Sequence, residues 1–377
     1  MKYYKINLQN IKKKFEIMGC EDIGSRILEK KSNLHALQIN NIHVGAANIL
    51  KQDALSIGAD LAVPRGTILA KDKFVNVILI GTTKHFEILS KKELAQPFGL
   101  QKLAKDLKKF VKKDANVVKI MGVINANNDS FYKNSRFTKK RAIKQILQMI
   151  QDGANIIDIG AVSSRPGSVA VDEDEELSRI KYICDVIKKE KLYKKVDFSI
   201  DSYTPKVIKY ALKSGFKIVN DITGLSDPKV AKLTAKYGAT IVIMHMRGTP
   251  KTMQNDPSYD NVMIEVDQFF KDRISIAKKY GIKNIVLDVG IGFGKTLEHN
   301  LILLKNMEHF LHFGHKVLIG ASRKSMIDKI VPSSIENRLP GTLAIHLDSI
   351  AKGASIVRTH DVKEHFQAIK VYQSINI

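Results

Sequence analysis

Two rhythms of apolar and polar residues divide this chain. From residue 117 onward, short runs rich in Val, Ile and Leu recur, each followed by a longer stretch with helical spacing. The runs begin near Val117, Asn155, Val196, Lys217, Thr240, Asn284, Lys316 and Ser355. They end at Asn125, Gly160, Asp201, Ile222, His245, Val289, Gly320 and His360. Continuous apolar runs of this length are the mark of parallel strands buried on both faces. Helical spacing fills 138–152, 172–190, 205–214, 228–237, 259–280, 297–310, 336–352 and 362–373. In the second of these, Asp172 stands at an N-cap position, with acidic residues in the first turn and lysines in the last, as the helix dipole favours. Eight strand–helix units within about 260 residues predict a closed (β/α)8 barrel rather than an open doubly wound sheet.

Before residue 113 the pattern is different. Residues 34–42 and 75–80 (VNVILI) read as strands, and 46–57 as a helix stopped by Gly58. A Lys-rich amphipathic stretch, 99–113, reads as a connecting helix. The chain is therefore expected to hold a small N-terminal α/β domain over 1–112 and the barrel over 113–377. Among the first 112 residues His35, His43 and His85 stand apart from other ligand types, so structural roles are expected for them.

Composition narrows the classes without choosing one. The 377 residues are 44% hydrophobic, enough for a full core, and no apolar run reaches membrane-span length. The basic N-terminus is not followed by an apolar segment, so neither a leader peptide nor a membrane is expected, and the reading is cytoplasmic. Cys20 and Cys184 form no metal spacing and no disulfide framework. Lys and Arg number 61 against 38 Asp and Glu, a net charge of +23. The lysines are scattered over helix faces, Trp is absent and no nucleic-acid motif appears. The charge is read as a solvated surface that speeds capture of an anionic small molecule, not as a nucleic-acid interface.

Candidate chemistry gathers at the strand ends, where (β/α)8 barrels carry their reactive groups. The run NIVLDVGIGFGK closes on Asp288 and a loop with Gly290, Gly292 and Gly294. It is neither a phosphate loop, which needs glycine at Val289, nor a dinucleotide fingerprint, which needs glycine at Lys295. The glycines let the backbone pass close to a neighbour. Other strand ends give Asn125 in MGVINANNDSF, Ser164–Arg165–Pro166 in DIGAVSSRPG, Asp201 in FSIDS, and Asn220–Asp221 in IVNDI. His245 follows in IVIMHMRGTP, then ASRKSM with Lys324 and Ser325, and RTHDV with Arg358 and His360.

This ordered set resembles the dihydropteroate synthases, pterin-binding barrel enzymes of folate biosynthesis, over about residues 117–377. The resemblance implies a transferase that condenses 6-hydroxymethyl-7,8-dihydropterin diphosphate with p-aminobenzoate and releases pyrophosphate. Asp201, Asn220 and Asp288 match pterin-binding positions, and carboxylates and an amide suit the ring's edge of N–H donors. Lys324 matches a contact of both pterin and aminobenzoate. The expected neighbour Asp288 favours a permanently charged Lys324 over a Schiff-base lysine. Arg358 is expected to stack on the pterin and reach phosphate. Asp201, Asp288, Lys324 and Arg358 are thus the implied catalytic set. Asn125, Ser164, Arg358 and His360 match diphosphate-binding positions, with Asn125 the implied ligand of a Mg²⁺. Arg165, Pro166, Phe293, Lys324 and Ser325 match the aminobenzoate pocket. The family also implies a homodimer, sulfonamides as competitors, and mobile loops over 126–136 and 161–169.

The sequence departs from the family pattern at Asn127 and Asn128, where Thr and Pro are usual, and losing the proline loosens that loop. It departs again at Val162, Ser164 and Val289. The first 112 residues match neither the minimal enzyme nor the pyrophosphokinase or aldolase partners sometimes fused to it. A pterin-binding methyltransferase of the same superfamily is the alternative. It would share the pterin carboxylates but would not need SRKS together with RTH for anion binding.

Overall fold

The computed structural model describes residues 1, 4, 6–8, 11–111, 117–126, 139–162, 171–249, 252–253 and 256–376. The chain divides into two compact units. One is Met1–Asp114 with His312–Gly314 and Gln373–Ile377; the other is Ala115–Leu311 with His315–Tyr372.

In the first unit, helices α1 (Ile11–Ile17) and α2 (Asp22–Ser32) precede strand β1 (Leu34–His43). Then follow α3 (Val44–Leu55), β2 (Asp60–Ala62), β3 (Phe74–Thr82), α4 (Thr83–Lys92) and α5 (Leu100–Phe110). The sheet is antiparallel in the order β1-β3-β2. Strand β3 alternates strictly: Val75, Val77 and Leu79 are buried, and Phe74, Ile78 and Ile80 are exposed. The inward set packs on Leu50 and Ala54 of α3, Phe86 and Leu89 of α4, and Leu100 and Leu107 of α5. The expected connecting helix starts one residue late, because Gly99 is left-handed at φ 85°, and ends at Phe110. Helices α1, α2 and α4 and strand β2 were not expected from the sequence.

The second unit is the predicted (β/α)8 barrel. Its strands are β4 (Lys119–Asn125), β5 (Ile156–Gly160), β6 (Asp197–Asp201), β7 (Ile218–Asp221), β8 (Thr240–Met244), β9 (Ile285–Asp288), β10 (Lys316–Ile319) and β11 (Ile356–Thr359). All neighbouring pairs are parallel, and β9 to β10 to β11 to β4 closes the ring. The helices between them are α6 (Lys139–Gln151), α7 (Glu173–Lys189), α8 (Pro205–Lys213), α9 (Pro228–Lys236), α10 (Val262–Lys279), α11 (Leu297–Lys305), α12 (Ser325–Ile330), α13 (Leu339–Ala351) and α14 (Val362–Ile375). Asp172 caps α7 by accepting from the amide of Asp174, as expected. Two helices are shorter than their periodicity. The stretch from Leu297 leaves the α-helix at Lys305 and tightens into a 3-10 segment, Met307–Phe313. The helix expected from residue 336 begins at Leu339, with Pro340 in its first turn, where a missing N–H costs nothing. Helix α12, six residues long, was missed.

The barrel interior explains where the polar strand ends point. Met121, Ile156, Ile218, Val242, Val286, Leu318 and Ile356 form one buried cluster. Side chains two residues further along a strand share a face. Asp158, Asn220, Asp288 and Arg358 therefore stand directly above Ile156, Ile218, Val286 and Ile356, towards the C-terminal mouth. Cross-strand register extends the row, pairing Asn125 with Gly160, Gly160 with Asp201, and Asp201 with Asn220.

Candidate active site at the barrel mouth

One guanidinium serves two carboxylates at the centre of the mouth. Arg358 donates from Nε to Asp158 Oδ2 at 2.7 Å and from Nη2 to Asp201 Oδ2 at 2.6 Å. Asn220 Nδ2 donates to the same Asp158 oxygen at 3.1 Å. Asp158 is fully buried, and among the described residues its Oδ1 accepts no hydrogen bond. A buried carboxylate oxygen without a donor is costly, so this atom is poised for an N–H donor from outside the chain. Burial pushes the Asp201 carboxyl up to about 7; Arg358 opposes this, while Asp158, Glu176 and Asp221 add to it. Desolvation is the main cause, and the shared Arg358 charge offsets it only in part because neighbouring acids push the other way. Just beyond Asp201 the strand end is tied to α7, as Ser202 and Thr204 hydroxyls each donate to Glu176 at 2.6 Å.

Asp288 and Lys324 form the second focus. Asp288 accepts from the Gly290 amide at 2.8 Å, and burial raises its carboxyl against the pull of Lys324. Burial lowers the Lys324 ammonium to about 8, opposed by Asp288. Desolvation outweighs the nearby acid, so the charged form of Lys324 is held less firmly than in a solvated lysine. Its Nζ donates to the Ile291 carbonyl and lies 4.4 Å from the centroid of the Phe293 ring. The residue before it explains this aim. Arg323 is left-handed at φ 56°, and its guanidinium grips Asp361 at 2.6 and 2.9 Å and the carbonyls of Ile335 and Glu336. That clamp fixes the turn which presents Lys324.

The remaining expected residues fall as follows. Asn125 ends β4, half-buried, in the row with Gly160. His360 follows β11, its Nδ1 3.0 Å from the Ser322 hydroxyl. Ser325 opens α12 and is exposed. Ser164, Arg165 and Pro166, like Asn127 and Asn128, lie outside the described residues. Among the described residues no trio of His, Cys, Asp or Glu at the strand ends brings its ligand atoms together for a metal. A Mg²⁺ here fits only as an ion that takes most of its ligands from phosphate and water, with one amide oxygen from the chain. Two buried residues escaped the sequence reading. Asp158 sits inside an apolar run, NIIDIG, and its interior parity was the available signal. Lys295, at the end of the glycine loop, was read only as a mismatch to a motif.

Comparison with known proteins accounts for this arrangement. Residues 121–360 match the family described as pterin binding enzyme. A dihydropteroate synthase of Escherichia coli is 39% identical over 258 residues, covering 68% of this chain and 90% of that protein. A Helicobacter pylori protein named bifunctional dihydropteroate synthase/dihydropteroate reductase is 41% identical over 372 residues, 98% of each chain. That alignment takes in the N-terminal unit, for which the sequence offered no counterpart. The crystal structure of Yersinia pestis dihydropteroate synthase with a sulfonamide drug complex superposes with a TM-score of 0.66 at 34% identity, covering 69% of this chain and 94% of that one. That of the Thermus thermophilus enzyme with 4-aminobenzoate gives 0.61 at 35% identity, covering 70% and 96%. Strand order, polar strand ends and sequence thus agree, and the chain belongs to the dihydropteroate synthase family of pterin-binding enzymes.

Proposed function

We propose that the barrel joins 6-hydroxymethyl-7,8-dihydropterin diphosphate to p-aminobenzoate, forming 7,8-dihydropteroate and pyrophosphate. The observation that carries this reading is the acceptor set Asp158, Asp201, Asn220 and Asp288 above the apolar layer, matched to one cation, Arg358. The pterin's N–H edge would meet that acceptor set, with the orphaned Asp158 oxygen receiving one donor. In the reaction the amine nitrogen bonds to the pterin's exocyclic methylene carbon, the carbon–oxygen bond to the diphosphate breaks, and the amine loses a proton to solvent. Asp201 and Asp288 would stabilise positive charge that builds on the ring, as preorganised groups do in a site shielded from water. Lys324 and Phe293 would border the aminobenzoate side, with Ser325 at the start of α12. Arg358 and His360 would face the departing diphosphate. Asn125 would hold a Mg²⁺, which when bound neutralises charge on the leaving group.

A second reading concerns the whole chain. The Helicobacter relative carries a reductase name as well, and it matches this chain end to end, where the E. coli synthase matches 258 residues. On that basis the full chain also reduces dihydropteroate, with hydride added at C6 of the pterin and a proton at N5. The electrons must come from a two-electron donor such as a reduced nicotinamide or reduced flavin.

Purified protein is expected to release pyrophosphate only when the pterin diphosphate and p-aminobenzoate are both present; release without the amine would end the transferase reading. Lys324→Ala should cut kcat/KM at least about 100-fold while the melting temperature holds, and an active variant would remove Lys324 from the site. The pH profile of kcat/KM should be bell-shaped. Asp201 is charged above about 7 and Lys324 is charged below about 8, so activity falls as pH drops below the first and rises above the second. Asp158→Asn removes a charge that raises Asp201, so the acid limb should move to lower pH; an unmoved limb would separate Asp201 from it. For the second reading, the full chain should form tetrahydropteroate from dihydropteroate when supplied with NADPH or chemically reduced flavin. No product with either donor would refute it.

A further inference from the structure

The glycine loop after β9 is pressed onto the end of β8. A Cβ on Gly290 would lie 1.9 Å from the His245 carbonyl oxygen, and one on Gly294 would lie 2.4 Å from that of Arg247. Both glycines are left-handed, at φ 67° and 62°. Lys295 ends this loop but turns back beneath it, 3% exposed. Its Nζ donates to the carbonyls of Gly290 and Phe293, each at 3.0 Å, and to that of His245 at 3.3 Å. It also lies 2.9 Å from His245 Nδ1. Burial foremost, then Lys295 and Arg247, keeps the His245 imidazole neutral, and burial draws Lys295 itself towards the neutral amine against the pull of Asp288. Tyr259 donates to the Gly294 carbonyl at 2.7 Å, and Asn300 accepts from the Gly292 amide at 2.8 Å. Lys324 takes the Ile291 carbonyl. The carbonyls of residues 290, 291, 293 and 294 are thus each held by a side chain, two of them by Lys295.

We infer that Lys295 is a positioning residue for the aminobenzoate side of the site: its side-chain amino group latches the loop that carries Phe293 and the carbonyl on which Lys324 rests. This rests on the synthase reading above. The two halves of the site depend on the latch unequally. Asp288 is a strand residue, paired in the ladder with Met244 on one side and Leu318 on the other. Phe293 lies beyond the end of β9, on the loop, with Lys324 against its ring. Removing the latch therefore loosens the aminobenzoate wall while the pterin carboxylate stays in place.

Lys295→Met keeps the volume and removes the donors. Hydrogen exchange of the peptide spanning 289–296 should quicken in this variant, and unchanged exchange would overturn the latch whatever the activity. The KM for p-aminobenzoate should rise about tenfold, while that for the pterin diphosphate moves by less than about threefold. Equal rises in both, or no rise in either, would overturn the positioning role. Should Lys295→Met fail to fold, Lys295→Gln, which retains a shorter donor, is read by the same two measurements. Wild-type protein assayed in parallel separates the failures: no dihydropteroate from the wild type sinks the synthase reading, while the exchange result still judges the latch.

Discussion

The sharing of Arg358 between Asp158 and Asp201 organises the barrel mouth. Three charged groups meet where the apolar interior ends, and their sum is one negative charge. Replacing the arginine would strand the buried Asp158 and the half-buried Asp201, and breaking a buried pair costs about 3–5 kcal/mol. Keeping it leaves Asp201 near the edge of ionisation and Asp158 with one oxygen unanswered among the described residues. The mouth is thus incomplete as it stands. Hydrogen-bond donors on a flat ring would complete it, and donors of that kind are what a pterin presents. Asp288 and Lys324 repeat the theme on the opposite arc, each pulled towards neutrality by burial and towards charge by the other.

Much of this was legible because barrel strands are buried on both faces. They appear in sequence as unbroken apolar runs, and the polar residue that ends each run is conspicuous. The period of two then settles which of those residues face inward. Asp158 escaped because it interrupts a run instead of ending one, and an acidic residue inside NIIDIG gives no hint of the arginine that pairs with it from residue 358. The clamp made by Arg323 was equally hidden, since its partner Asp361 and the carbonyls of the 335–336 turn are distant in sequence. The lowering of Lys324 was hidden for a related reason: the sequence told of a nearby acid but not of the depth of burial. Short elements such as β2 and α12 carry too few residues for periodicity to register.

The N-terminal unit obeys the same rule of alternation with a different result. Its three strands have helices on one face only, so every second residue of β3 reaches solvent, Ile78 and Ile80 among them. The buried half, from Ala46 to Leu107, makes a one-sided core. A strand that is half apolar and half exposed gives a weaker sequence signal than a fully buried one, and this is why the unit's outline was only partly readable.

The crossing of the glycine loop over β8 also limits how this protein can evolve. A methyl group at Gly290 or Gly294 would collide with backbone oxygen, and one at Gly292 would come within 3.3 Å of the Lys324 side chain at a left-handed backbone position. Backbone cannot step aside as a flexible side chain can. Heritable change in this wall of the pocket is therefore funnelled into Ile291 and Phe293, the two side chains threaded between the glycines. Any lineage under pressure to reshape the pocket here must do so by swapping those two, or leave the loop untouched and vary elsewhere.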